Sequence, residues 1–240
     1  MSDAVPNRAL DIMQRLWHLL LPSSCLWCSL PVHHHRHQLC RHCITALPKL
    51  PYSLCHYNLL WLPNVAKGLL NPGYDQLLSV GYYQQPVQHW LQHWKFSADE
   101  VAGNLLQHLL VQTLQQYAES GCILPQAILY VPMHPARQRQ RGYNQAELLA
   151  RSAAQSLNIP LLHALRKTRR LPPQVGLTSK QRRRNLRGSF ALTQQPLPEH
   201  VALVDDVLTT GATANEICRL LRRNGVRQIS MWTIAVTLKD

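Results

Sequence analysis

VALVDDVLTTGATANE, residues 201–216, is the stretch on which the reading of this chain turns. Val201 to Val204 form an apolar run that ends in two aspartates, Asp205 and Asp206. A run apolar on both faces suits a strand buried inside a parallel sheet. Thr209, Thr210, Gly211, Ala212 and Thr213 follow, small and rich in hydroxyls, and lead into the helical pattern ATANEICRLLRRNG. A strand, a tight glycine-containing loop and a helix N-terminus in that order make an anion site. Unpaired backbone N–H groups and the positive end of the helix dipole face the loop. Threonine hydroxyls add donors without bulk, and Gly211 lets the backbone come close to a phosphate.

Asp205 and Asp206 only accept hydrogen bonds, so they suit sugar hydroxyls, or a Mg²⁺ reached through water, rather than the phosphate itself. Phosphate at the loop and diol at the carboxylates together describe a ribose 5-phosphate. The arrangement resembles the signature of type I phosphoribosyltransferases, which bind 5-phosphoribosyl 1-pyrophosphate (PRPP). Two other readings compete with it. One is the Mg²⁺ strand of a P-loop NTPase, but no G-x-x-x-x-G-K-[ST] occurs in the chain. The other is a sheet strand with a polar end and no site.

The 240 residues give room for one good domain and a small appendage. Lys and Arg number 25 against 12 acidic residues, a formal net charge of +13. That excess points to a polyanionic partner or a phosphate-attracting surface; a solvated basic surface with no partner is the plain alternative. No apolar run approaches the roughly eighteen residues that span a bilayer. WHLLLPSSC (17–25) looks like part of a signal peptide, yet Asp11, Arg15 and His18 interrupt the apolar run and Pro22 follows it. The expectation is a cytoplasmic protein with no membrane span.

Taken in order, residues 8–21 set Leu10, Met13, Leu16, Trp17 and Leu20 at helical spacing. CLWC (25–28) and CRHC (40–43) then form two C-x-x-C pairs separated by eleven residues. Each pair can offer two thiolates from a tight knuckle, so Cys25, Cys28, Cys40 and Cys43 read as a closed, structural zinc site. Disulfides and a redox C-x-x-C are the alternatives. His33, His34, His35, His37, His42, His56 and Cys55 crowd the same region as substitute ligands or exposed loop residues, and Cys122 and Cys218 read as small core residues. Residues 44–78, rich in Pro and Leu, read as an irregular connector lying against the main domain. The expected division is 1–62, the N-terminal helix, zinc module and connector, and 63–240, the α/β domain. Within the latter, strands are expected at 79–84, 127–131 and in RQISMWTIAV (227–236). Helices are expected at 86–95, about 97–118 and in AELLARSAAQSL (146–157), and Asn224-Gly225 closes the helix after the opening motif. Strands alternating with helices argue for a parallel sheet with ligands at its carboxyl edge.

With these pieces in order the sequence resembles the ComF family of competence-associated proteins with a phosphoribosyltransferase domain. The resemblance rests on CLWC and CRHC, on VPMHPARQRQRGYNQAELLAR (131–151), on QVGLTSKQRRRNLRGSF (174–190) and on LVDDVLTTGAT. It implies a type I phosphoribosyltransferase-like α/β domain carrying a small N-terminal zinc module. It implies PRPP, with Mg²⁺, bound by Asp205, Asp206, Thr209, Thr210, Gly211, Ala212 and Thr213. Lys95 in HWKF falls where the pyrophosphate loop would lie, or is an ordinary helix-end lysine. Arg137, Arg139, Arg141 and Gly142 resemble the mobile loop that closes over PRPP, where guanidinium groups stabilise the departing pyrophosphate. One departure matters. Purine-salvage members carry an Asp just before the Thr-Gly of the phosphate loop, and this chain has Thr209 there, so the acceptor and general base are undefined. The role implied is uptake or processing of DNA in natural transformation, with single-stranded DNA and competence proteins as partners. A transferase acting on an unidentified acceptor and a PRPP-sensing regulator without turnover are the rival readings.

Two basic runs remain. RKTRR holds Arg166, Lys167, Arg169 and Arg170, and KQRRRN holds Arg182, Arg183 and Arg184. Few aromatics are interleaved, so a charge-driven contact with phosphate backbones is expected rather than base stacking. Pairing with carboxylates inside the domain, or reaching the PRPP pyrophosphate, is the other reading.

Overall fold

Four strands carry the apolar runs: β1 (Gln76–Tyr82), β2 (Ala127–Tyr130), β5 (His200–Leu208) and β6 (Gln228–Val236). In the computed structural model they form one parallel sheet in the order β1-β6-β5-β2. The structure describes residues 13, 16, 20–32, 38–69, 71–168, 186–193 and 196–238. The chain divides into Met1–Pro48 and Lys49–Asp240.

In Lys49–Asp240, Val201 to Val204 are fully buried at the centre of the sheet, as a strand covered on both faces requires. One face is covered by α4 (Val87–Ser97), α5 (Glu100–Glu119) and α7 (Gln145–Leu157), with α5 packed on both neighbours. Trp90, Leu91 and Trp94 of α4 point inward together with Leu106, Leu110 and Leu114 of α5. Gly103 makes that approach feasible, since a Cβ there would lie 2.4 Å from Trp94 Nε1. The other face carries α8 (Ala212–Arg223), with Ile217, Cys218 and Leu221 in one core with Leu77, Leu203 and Met231. Leu50, Cys55, Leu59, Val65 and Leu69 join the same core. The boundary therefore falls at 48/49 in the structure, whereas the sequence suggests 62/63. Residues 49–69 contribute α2 (Tyr52–Cys55), a 3₁₀ turn (Leu59–Trp61) and α3 (Pro63–Ala66) to the α/β unit.

After α7 the chain pairs briefly outside β2, where Leu161 bridges to Ile128. It then forms the hairpin β3 (Leu165–Lys167) and β4 (Phe190–Leu192), and Phe190 packs into the α8 face. Thus β2 leads to helices on one face and β5 to α8 on the other. Connections that part in this way open a crevice at the carboxyl ends of the two strands.

In Met1–Pro48, Met13, Leu16 and Leu20 are helical and exposed; Leu10 and Trp17 of the expected helix lie outside the described residues. The first knuckle is closed by Ser29 N–H donating to Cys25 O and by Cys25 N–H donating to Leu30 O. Ser29 takes a left-handed conformation there. The second knuckle runs into α1 (Arg41–Ala46) directly after Cys40. Among the described residues no helix is long and apolar enough to cross a membrane.

Candidate functional site

The end of β5 places Asp205 and Asp206 at the floor of the crevice, both partly enclosed. Asp206 N–H donates to Asp205 Oδ1 at 2.9 Å, and Lys95 Nζ lies 2.5 Å from Asp206 Oδ2. Burial pushes the Asp205 carboxyl up to about 7, and the charge of Asp206 adds to the effect. Lys95, the Asp206 N–H and Lys167 pull in the opposite direction without cancelling it. The site thus holds a carboxyl of raised proton affinity, which a bound cation would lower.

Beyond the aspartates the chain turns through Thr209 and Thr210 to Gly211, whose φ of 74° starts α8 with no side-chain cap. Among the described residues no side chain caps the first N–H groups of α8, which leaves them as donors towards the loop. A cleft of about 60 Å³ is lined by Asp205 and by Thr209, Thr210, Gly211, Ala212 and Thr213. A Cβ on Gly211 would lie 3.5 Å from Tyr74 Oη, a buried hydroxyl with no hydrogen-bond partner among the described residues. The expected phosphate loop is brought together whole.

A second cleft, of about 390 Å³, is lined by Lys95, Phe96, Ala98, Arg137, Gln140, Arg141 and Tyr143. Lys95, through Asp206, ties it to the aspartate floor. The segment expected to be a mobile loop is a short helix here, α6 (Pro135–Arg141), because Pro135 takes the first turn and His134 Nδ1 accepts from Ala136 N–H. Helical phase puts Arg137 and Arg141 one turn apart on the cleft side. Arg139, on the opposite side, is exposed and lines neither cleft. Arg141 lies 5.7 Å above the Phe96 ring and donates to Gln145 Oε1 at 3.1 Å. Burial lowers its proton affinity, Arg137 lowers it further, and Asp206 raises it. Asn144 caps α7, accepting from Ala146 N–H and donating to Val131 O, which fixes the exit of β2.

Lys167 also belongs to this neighbourhood. It lies on β3 with Nζ 5.5 Å from the Phe190 ring centre, and its charge acts on Asp205. The sequence reading puts it in a basic run. The missed signal is the alternation of Leu165, Arg166 and Lys167, which are buried, exposed and half-buried in turn. The other residues of those runs, Arg169, Arg170, Arg182, Arg183 and Arg184, lie outside the described residues.

Separately, in the N-terminal unit, the sulfurs of Cys25, Cys28, Cys40 and Cys43 all lie within 4.8 Å of one another. Four thiolates around one zinc sit about 3.8 Å apart, so the cluster fits a single tetrahedral ion. Burial opposes a Cys25 thiolate, but N–H groups of Cys28, Cys40 and Trp27 outweigh it and lower that thiol to about 6. Cys40 N–H reaches Cys25 Sγ at 3.3 Å, the knuckle pattern in which backbone donors orient a ligand sulfur. This cluster can hold a metal ion such as zinc.

A family model described as phosphoribosyl transferase domain matches residues 144–238, from the α7 cap to β6. Competence protein F of Haemophilus influenzae is 34% identical over 219 residues, covering 88% of this chain and 96% of that protein. DNA utilization protein YhgH of Escherichia coli O157:H7 is 35% identical over 169 residues, or 70% of this chain and 74% of that one. Competence protein ComFC of Streptococcus pneumoniae is 26% identical over 63% of this chain and 64% of its own length. Identity sustained over nearly the full length of a competence protein, on a parallel α/β domain of this type, decides the family: the chain belongs to the ComF family.

Proposed function

We propose that this protein binds PRPP with Mg²⁺ and acts in the uptake or processing of DNA during natural transformation. The observation that carries the reading is the pairing of two clefts across one aspartate pair. Thr209 to Thr213 offer N–H and hydroxyl donors to the 5-phosphate. Asp205 and Asp206 accept from the ribose hydroxyls, and a Mg²⁺ brought with the ligand would relieve the strain of two adjacent carboxylates. Lys95, Arg137 and Arg141 face the pyrophosphate from the other side. The DNA role draws on the names of the relatives, which speak of competence and DNA utilization. In the N-terminal unit the same reading makes the four cysteines a structural zinc site.

Titration calorimetry with PRPP and Mg²⁺ tests this directly. Wild type should bind, Asp205→Asn with Asp206→Asn should bind at least about tenfold more weakly, and Gly211→Val should not bind. A wild-type protein that takes up no PRPP in the presence of Mg²⁺ would overturn the reading.

Transfer of the ribose 5-phosphate to an acceptor is a second reading, and the 390 Å³ cleft favours it. That volume lies within the roughly 300–1,000 Å³ of small-molecule sites, more than a pyrophosphate alone needs. Pyrophosphate released from PRPP only when cell extract is added would establish it.

A further inference from the structure

Tyr74 lies in the short stretch that leads into β1, and that stretch is fastened along α8 on both sides of it. Before it, Gly73 N–H donates to Asn215 Oδ1 at 2.8 Å. A Cβ on Gly73 would lie 3.0 Å from Cys218 Cβ, so the backbone runs close against the helix. After it, Asp75 accepts from Arg222 with both carboxylate oxygens at 2.7 Å and from Ile229 N–H at 2.7 Å. The Tyr74 ring is thereby held in the core that α8 covers, only 3% exposed. Its hydroxyl arrives at the start of that helix, 3.5 Å from the place a Gly211 Cβ would take.

Packing alone does not call for a hydroxyl there. Tyr74 Oη is buried and has no hydrogen-bond partner among the described residues, and a phenylalanine would fill the same space without leaving a donor unsatisfied. Burial raises the proton affinity of this phenol, and Cys218 adds to the effect, so the group is an O–H donor at neutral pH. Tyr74 does not line the phosphate cleft; its hydroxyl stands behind the loop. A planar trans peptide points its N–H and its C=O in opposite directions. An anion that draws the Gly211 N–H into the cleft therefore turns the Thr210 carbonyl away from it, towards the buried hydroxyl.

We propose that Tyr74 is a positioning residue of the phosphate loop: its hydroxyl donates to the Thr210 carbonyl once a phosphate group is bound, and so holds the loop in its anion-binding form. This rests on the PRPP reading above and adds to it a residue that touches no ligand. The effect is a difference between two states. An unsatisfied buried donor weighs on the ligand-free protein and is relieved in the complex, so the relief appears as affinity for the anion. Tyr52 is the contrasting case, a tyrosine of the same unit whose hydroxyl already donates to Ser79 O without any ligand.

The test uses the full chain, with ribose 5-phosphate and inorganic pyrophosphate with Mg²⁺ as probes, and the melting midpoint of the ligand-free protein as a second readout. Tyr74→Phe keeps the ring and removes the hydroxyl. It should weaken ribose 5-phosphate about tenfold and leave pyrophosphate as in wild type. Its ligand-free midpoint should be no lower than that of wild type, because no hydrogen bond is lost. Tyr52→Phe should do the reverse, lowering the midpoint and sparing ribose 5-phosphate. A merely structural role for Tyr74 does not predict a loss of affinity without a loss of stability. Unchanged ribose 5-phosphate affinity in Tyr74→Phe, an equal loss of pyrophosphate, or a midpoint that falls as in Tyr52→Phe overturns the assignment while the PRPP reading stands. A wild-type protein that binds no ribose 5-phosphate brings down both.

Discussion

At the scale of single residues, Asp205 shows what the site asks of the fold. An aspartate in water releases its proton near 3.8, whereas here burial and the adjacent Asp206 push that up to about 7. Between those two values the folded chain keeps a proton that the unfolded chain has lost. Stability from this group is therefore greatest below about pH 4, falls as pH rises towards 7, and is flat above. Each tenfold change in proton affinity is worth about 1.4 kcal/mol, so the loss by pH 8 has an upper bound of about 4 kcal/mol. His200 works the other way, since burial holds its imidazole below the ordinary value; comparing variants separates the two. Asp205→Asn should match wild type in thermal midpoint near pH 4 and exceed it at pH 8, in ligand-free protein. Parallel midpoint curves for the two proteins across that range would show that Asp205 is ionised throughout. The aspartates were legible in the sequence because they end a contiguous strand and meet their loop within a few residues. The direction of Lys167 was not legible, because it depends on pairing with Phe190 across a long excursion of the chain.

Among elements, legibility follows how local the geometry is. The two C-x-x-C knuckles are each closed within one turn, so spacing alone gathers four sulfurs within 4.8 Å. The segment 49–69 offers no period at all. Leu50, Cys55, Leu59 and Val65 enter the core one by one from short turns, so composition tells that the segment lies against the main domain but not where that unit begins. The arginine segment hides its helix for a different reason. Arg and Gln on every side give it no apolar stripe, and only Pro135 and the His134 cap start it. Its phase, which sends Arg137 and Arg141 one way and Arg139 the other, is visible only in the structure. The cysteine module yields its own prediction. Protein purified without added metal should contain one zinc, and stripping it with a strong chelator should remove hydrogen-exchange protection in residues 20–48. Lys49–Asp240, which has its own buried core, should keep its protection and its melting midpoint. Protection of residues 20–48 that survives complete removal of metal would show that the four thiols are not a structural metal site.

For the whole molecule, the question is where the net charge of +13 acts. Lys95 pairs with Asp206 and lines one cleft with Arg137 and Arg141, so part of the excess is concentrated at that cleft. The remaining candidates for nucleic-acid contact are Arg169, Arg170, Arg182, Arg183 and Arg184, in a stretch with few acidic neighbours. Phosphate contacts made by such side chains release counterions, so affinity falls linearly in logarithm with the logarithm of salt. On single strands each contact contributes roughly 0.7 to that slope. If Arg182, Arg183 and Arg184 each touch a phosphate, changing all three to Ala should flatten the slope by about 2. Oligonucleotides of different sequence should respond alike, because contacts to phosphate carry no base information. PRPP affinity and the melting midpoint serve as the controls. Should the triple variant lose PRPP affinity or thermal stability while its slope on the oligonucleotide stays put, those arginines work inside the domain. Those arginines would then serve a small phosphorylated ligand or the fold, and the proposed role in handling DNA would have to pass through another protein.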